Sequence, residues 1–253
     1  MQRREFVLLS ASLLLAAPVG AAKKAAPHVS PLAAINQAGL LAMHAERIGR
    51  AWIQMGIAID TQRAGMQLQQ SSRAFEQIYA ALDNSVRGEQ MLLIEQRWRA
   101  YRMVWAAQPA ADGVRRVSSL ALDLSEQAVK LVAQLTTSAA SNEAQRLQAG
   151  SEMRMLTQRM ARLTLTRQWG MAQPDASLQI DQQRKSFATQ LSALVADTAL
   201  PEAARADIEL ARQQWSFLDQ ALATPEDLKA ATLAANLAER MRELLDGFCT
   251  HLA

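Results

Sequence analysis

The chain has 253 residues, half of them apolar, enough for one large core or for two domains of about 110 residues each. Aromatics at 5%, 10 glycines and 7 prolines, in a sequence dominated by Ala, Leu, Gln, Arg and Glu, argue against an all-β fold and predict long helices joined by short loops. A formal charge of +3 with no Lys/Arg block or basic–aromatic stripe argues against nucleic acid as a partner, and the lone Cys249 excludes an internal disulfide and a cysteine-based zinc site.

Residues 1–22 read as an export leader. Arg3 and Arg4 form a basic start, Phe6 to Val19 is apolar, and Val19-Gly20-Ala21 offers small residues for cleavage. The paired arginines fit either an ordinary secretory signal or the twin-arginine pattern. No later stretch approaches the roughly 18 apolar residues of a membrane span. The expectation is a soluble periplasmic protein, so any signal it detects would have to pass through a membrane partner.

Apolar spacing then predicts eight helices in chain order, at 32–57, 63–83, 87–107, 114–137, 142–171, 175–197, 201–222 and 225–250. Their breaks have local causes. Asp83-Asn84-Ser85 is turn chemistry, and Pro109 with Asp112-Gly113 closes the third helix. Pro174-Asp175 and Pro201-Glu202 place proline in a first turn. Thr224-Pro225-Glu226-Asp227 reads as an N-cap, a proline and acids facing the helix dipole.

The second half repeats the first. Residues 35–47 align with 147–159 without a gap, so that Met43 meets Met155, Arg47 meets Arg159 and Arg50 meets Arg162 at an offset of 112. Phe75 meets Phe187 at the same offset, and Leu120, Leu124, Glu126 and Leu131 meet Leu233, Leu237, Glu239 and Leu244 at 113. Trp98 and Trp215 lie 117 apart, so the loop before them varies in length. The fold class expected is all-α, with two tandem four-helix modules at 31–138 and 141–253 after the leader.

The first helix of each copy carries the most specific pattern. Ile35-Asn36-Gln37-Ala38-Gly39 in copy one and Arg154-Met155-Leu156-Thr157-Gln158-Arg159-Met160-Ala161 in copy two resemble the N-terminal sensor module of PilJ/NarX type. That module occurs in type IV pilus chemoreceptors and in nitrate/nitrite sensor kinases. The resemblance implies a helical bundle that pairs with a second bundle through its first helices, with a motif arginine gripping the anion between them. By position that arginine is Arg154 in copy two and Ala42 in copy one, so one of two is kept. Copy two also carries Gln148, Gly150 and Ser151 where the pattern has Asn, Ala and Gly.

On a helix, Ile35, Ala38, Gly39, Ala42, Glu46 and Gly49 share one face, and Leu147, Gly150, Ser151, Arg154, Gln158 and Ala161 share its counterpart. These small-residue faces are expected to pack together, which would make the chain a covalent version of the family's dimer. Ala42 would leave space opposite Arg154 for a small planar oxyanion, nitrate or nitrite, with Asn36, Gly39, Ser151 and Gln158 around it. Alternatively Glu46 neutralises Arg154 or Arg159 and no ligand is needed, while Arg47 and Arg159 are structural residues on the polar flanks. Two functions follow: a periplasmic anion sensor acting through a membrane sensor kinase or chemoreceptor, or a ligand-free helical scaffold of the cell envelope. No cofactor, metal site or catalytic set is expected: His28, His44 and His251 are scattered, and His44 reads as a surface or partly packed residue. The methionines and tryptophans read as core, and Cys249 as a small buried hydrophobe.

Overall fold

The computed structural model describes residues 29–224 and 227–253. The expected leader, and Pro225 and Glu226, lie outside the described residues. Within them are eight α-helices and no strand: α1 (Pro31–Gly56), α2 (Thr61–Asp83), α3 (Glu89–Trp105), α4 (Val114–Ala139), α5 (Asn142–Gln168), α6 (Ala176–Val195), α7 (Glu202–Ala223) and α8 (Leu228–Thr250). A short 3-10 turn, Ala111–Gly113, precedes α4. The all-helical expectation holds, with most boundaries within two residues.

The two central helices start alike. The Ser30 hydroxyl accepts from the Ala33 amide at 3.1 Å, and the Ser141 hydroxyl accepts from the Ala144 amide at 3.1 Å. Each satisfies one of the orphan donors of a helix start. Pro31 sits in the first turn of α1, where its missing N–H costs nothing. Other caps differ from expectation. The cap of α8 is Asp227, whose carboxylate accepts from the Lys229 amide at 2.8 Å, in place of Thr224. Pro201 is itself the N-cap of α7, because its extended ψ of 147° lies outside the helical range. Ala140, at φ 48°, closes α4 in the left-handed region, and Ser141 caps α5 immediately after.

In the first half, α1 packs against α2 and α4, and α3 lies on α4; in the second, α5 packs against α6 and α8, and α7 lies on α8. An aromatic stack closes each half. Phe75 on α2 stacks on Trp98 of α3 at 4.2 Å between ring centroids, and Phe187 on α6 stacks on Trp215 of α7 at 4.2 Å. Of the five-residue discrepancy in tryptophan spacing, one residue lies in the connection (84–88 against 196–201) and four lie in an extra turn of α7 before Trp215, while the pair itself is kept.

The seam between the halves is the extensive α1–α5 packing. From Leu41 to Gln54 every residue of α1 is buried, and α5 is buried almost all round from Met153 to Thr166. A helix enclosed on all sides has no solvent face for its polar residues, so those residues must find partners inside. The seam is close because of specific glycines. A methyl group on Gly39 would stand 2.4 Å from Ser151 Cβ, and one on Gly49 would stand 2.9 Å from both Arg162 Cδ and the Tyr101 hydroxyl. Gly150, expected on this seam, faces away from it: its neighbours are Cys249 and Phe248 on α8. Cys249 is buried and free, and burial pushes its thiol pKa up.

Candidate functional site

Three buried ion-pair clusters line the seam. The first centres on Glu46 of α1, which has no exposed surface. It accepts from Arg159 Nε and Arg162 Nε of α5, each at 2.7 Å, and from the Ser125 hydroxyl of α4 at 2.8 Å. Burial alone would push this carboxyl up, but Arg162 and Arg159, with hydrogen bonds from Arg162 and Ser125, hold it at about 2. Arg159 also donates to the Ser125 oxygen at 2.8 Å.

The second cluster centres on Glu239 of α8. Arg47 grips it with Nε and Nη2 at 2.8 and 2.7 Å, and Arg50 Nη2 adds a contact at 2.7 Å. The Nη donors of these arginines not held by Glu239 are engaged mainly by α2 and by α1 itself, while Arg50 Nε is buried without a hydrogen-bond partner. Arg47 Nη1 donates to Ser71 at 2.7 Å, and Arg50 donates to Gln54 and Gln67 at 3.0 and 2.8 Å. Desolvation works against the Glu239 carboxylate, yet Arg50 and Arg47 bring it to about 2. Desolvation lowers the Arg50 guanidinium to about 10, partly offset by Glu239.

The third cluster holds Arg154. Its Nη1 donates to Asp246 of α8 at 2.9 Å, and its Nη2 donates to the Asn36 side chain at 2.8 Å and to Ser151 at 3.2 Å. Glu46, expected to neutralise Arg154 or Arg159, is the partner of Arg159 and Arg162. The space expected beside Ala42 is a cavity of only about 20 Å³, bordered by Gly39, Ala42, Gln148 and Ser151. That is room for about one water. Gln158 donates to the Ala238 carbonyl at 3.0 Å.

Of the residues expected around the anion, the structure brings Asn36, Gly39, Ser151 and Arg154 together and turns Gln158 toward Ala238; of the two arginines expected for Glu46, Arg159 pairs with it and Arg154 does not. Sequence reasoning placed Arg47 on a polar flank, whereas Arg47 is buried against α8, and it missed Glu239, Asp246, Arg50, Arg162 and Ser125. The repeat alignment held part of the signal, since Arg50 with Arg162 and Glu126 with Glu239 already stood at matching positions. Nothing local marked Asp246. His44 is also a correction: it is buried, its Nδ1 has no hydrogen-bond partner, and desolvation with Arg47, Arg242 and Arg154 nearby lowers its pKa to about 3. It is a neutral imidazole among guanidinium groups.

Among the described residues no group of three or more His, Cys, Asp or Glu could hold a metal, and no helix is long and apolar enough to cross a membrane. Comparison with protein-family models, curated proteins and solved structures gave no match to this chain.

Proposed function

We propose that the protein is an exported, non-catalytic interaction module: two tandem four-helix units of PilJ/NarX-like type whose shared seam is locked by its own ion pairs. The duplicated sequence supports the two units, as do the matching caps at Ser30 and Ser141 and the matching Phe–Trp stacks. The observation that carries the reading is the state of Arg154. Both its Nη atoms already hold protein acceptors, and Arg154 does not border the small cavity beside Ala42. In this reading Asp246 stands where a family member would hold its anion. The surface of the locked bundle then meets a membrane sensor kinase, a chemoreceptor or another envelope protein.

The test is a thermal melt of the protein with nitrate, nitrite and chloride titrated separately, beside Arg154→Ala. A ligand at about 100 times its dissociation constant adds about 2.7 kcal/mol, a shift of several degrees. The locked seam predicts equal, small shifts for all three salts. A nitrate- or nitrite-specific shift that disappears in Arg154→Ala would restore the anion-sensor reading.

A further inference from the structure

The Glu46 cluster leaves one cation incomplete. Two guanidinium groups share one carboxylate, so one positive charge is uncompensated. Arg162 uses only Nε toward Glu46, and neither of its Nη atoms has a hydrogen-bond partner among the described residues. Yet its side chain is only 3% exposed. The Nη atoms are nevertheless not among the fully occluded polar atoms, so the fork reaches space outside the protein where water or a ligand can complete it.

Arg162 borders a cavity of about 290 Å³ between α4, α5, the loop after α5 and the start of α6. That is the liquid volume of about ten waters, far more than completing one guanidinium requires. Arg115 of α4 also borders the cavity, together with Ser118, whose hydroxyl is occluded and unpartnered. No Asp or Glu borders it. The rest of the wall is largely apolar, with Leu122, Leu163, Met171 and Ala176 prominent. The first turn of α6 lies at this wall, and the Asp175 side chain does not cap it. The Asp175 carboxylate at that start accepts from Gln179 of the wall at 2.7 Å and offsets the field of the helix end.

We propose that this cavity is a binding site for a small organic monocarboxylate with an apolar body. The carboxylate completes the free Nη fork of Arg162 and balances the one excess charge, and the body lies on Leu122, Leu163 and Met171. A bare inorganic anion would leave the apolar wall wet, and a neutral apolar molecule would leave Arg162 unpaired. The other half of the chain has no equivalent, because the aligned Arg50 has both Nη atoms engaged by Gln54, Gln67 and Glu239. The inference rests on this geometry and not on the reading of the seam.

The experiment is a calorimetric titration and thermal melt of the whole protein with phenylacetate and octanoate as probes, and with phenylacetamide and nitrate as controls. The expected result is a melt raised by several degrees at about 10 mM of a carboxylate and unmoved by phenylacetamide or nitrate. Arg162→Lys keeps a charge for Glu46 but loses the fork, and should weaken binding about tenfold or more. Because Arg162 is also a core residue, two changes at exposed positions test the site without touching the Glu46 cluster. Arg115→Glu should weaken the carboxylates, and Ala172→Trp should occlude the mouth. Any of three results would overturn the proposal: no response to either carboxylate, an equal response to phenylacetamide, or undiminished binding in both exposed variants. The seam and the cavity are probed with different anions and different arginines, so failure of one reading is distinguishable from failure of the other.

Discussion

The clusters around Glu46 and Glu239 are two answers to one problem. Each central helix sends two arginines from the same register, Arg47 and Arg50 from α1, Arg159 and Arg162 from α5, into a buried interface. The carboxylate that receives them comes from different places. Glu46 stands on the partner central helix, and the position aligned with it in α5 is Gln158, which donates to a backbone carbonyl instead. Glu239 stands on the outer helix α8, and its counterpart Glu126 on α4 is exposed. The aligned halves share the cations and differ in the anion. Polar partners on α1 and α2 engage the Nη atoms of Arg47 and Arg50, leaving Arg50 Nε unpartnered, whereas among the described residues no protein group accepts from the Nη atoms of Arg162. A symmetry of charges does not imply a symmetry of hydrogen bonds.

Removing one anion at a time breaks this comparison most directly. Glu46→Gln leaves Arg159 and Arg162 without their only carboxylate and should cost about 3–5 kcal/mol, the usual penalty for stranding one side of a buried pair. Glu239→Gln should cost less, because Gln67, Gln54 and Ser71 still hold Arg47 and Arg50. Urea unfolding of the two variants measures the order, and equal losses would mean that those polar neighbours contribute nothing. The seam glycines come next. Gly39→Ala drives a methyl group into Ser151 Cβ, which cannot rotate away, while Gly49→Ala meets the movable Cδ of Arg162 and the Tyr101 hydroxyl. Both should destabilise, by about 1–3 kcal/mol for overpacking, with Gly39→Ala the worse. The melting midpoints decide it.

The smallest effect is the most specific in pH. The folded pKa of His44, about 3, lies below its ordinary 6.5, so the unfolded chain binds the proton more readily. Its stabilising contribution is complete above 6.5 and is lost as pH falls toward 3. The depressed carboxyls of Glu46 and Glu239 act in the same direction, but only below about 4.5 and down to about 2. Urea midpoints of the wild type should therefore start to fall near pH 6.5. His44→Leu should flatten the curve between 6.5 and 4.5 and leave the steeper acid limb in place. An unchanged upper limb in the variant would mean that His44 does not titrate in this range.

How much of this could be read in advance follows from what each feature depends on. The helices, their breaks and the duplication depend on local spacing, and the sequence carries them in Leu120, Leu124 and Leu131 and in the aligned Phe75 and Phe187. The α1–α5 seam was legible because Gly39, Ala42 and Ser151 mark a close approach. Pairing within the seam was not, because α8 reaches it from the far end of the chain: Glu239 lies 192 residues from Arg47, and Asp246 lies 92 from Arg154. For the same reason His44 read as a surface or partly packed residue. A single turn of polar residues on one helix reads as solvated until a neighbouring helix is known to cover it. The 290 Å³ cavity depends on how the loop after α5 folds back on α4, which no helical periodicity encodes.

The crossed placement of the ion pairs also has a mechanical consequence. Glu46 of α1 holds two side chains of α5, and two side chains of α1 are held by α8, which itself packs on α5. A shift of α1 along α5 by one residue's rise, about 1.5 Å, would pull both sets of 2.7 Å contacts at once. Sliding is therefore opposed in either direction, and the molecule is stiff along its long axis. Compliance is left to the outer helices α3 and α7, which touch the central pair least.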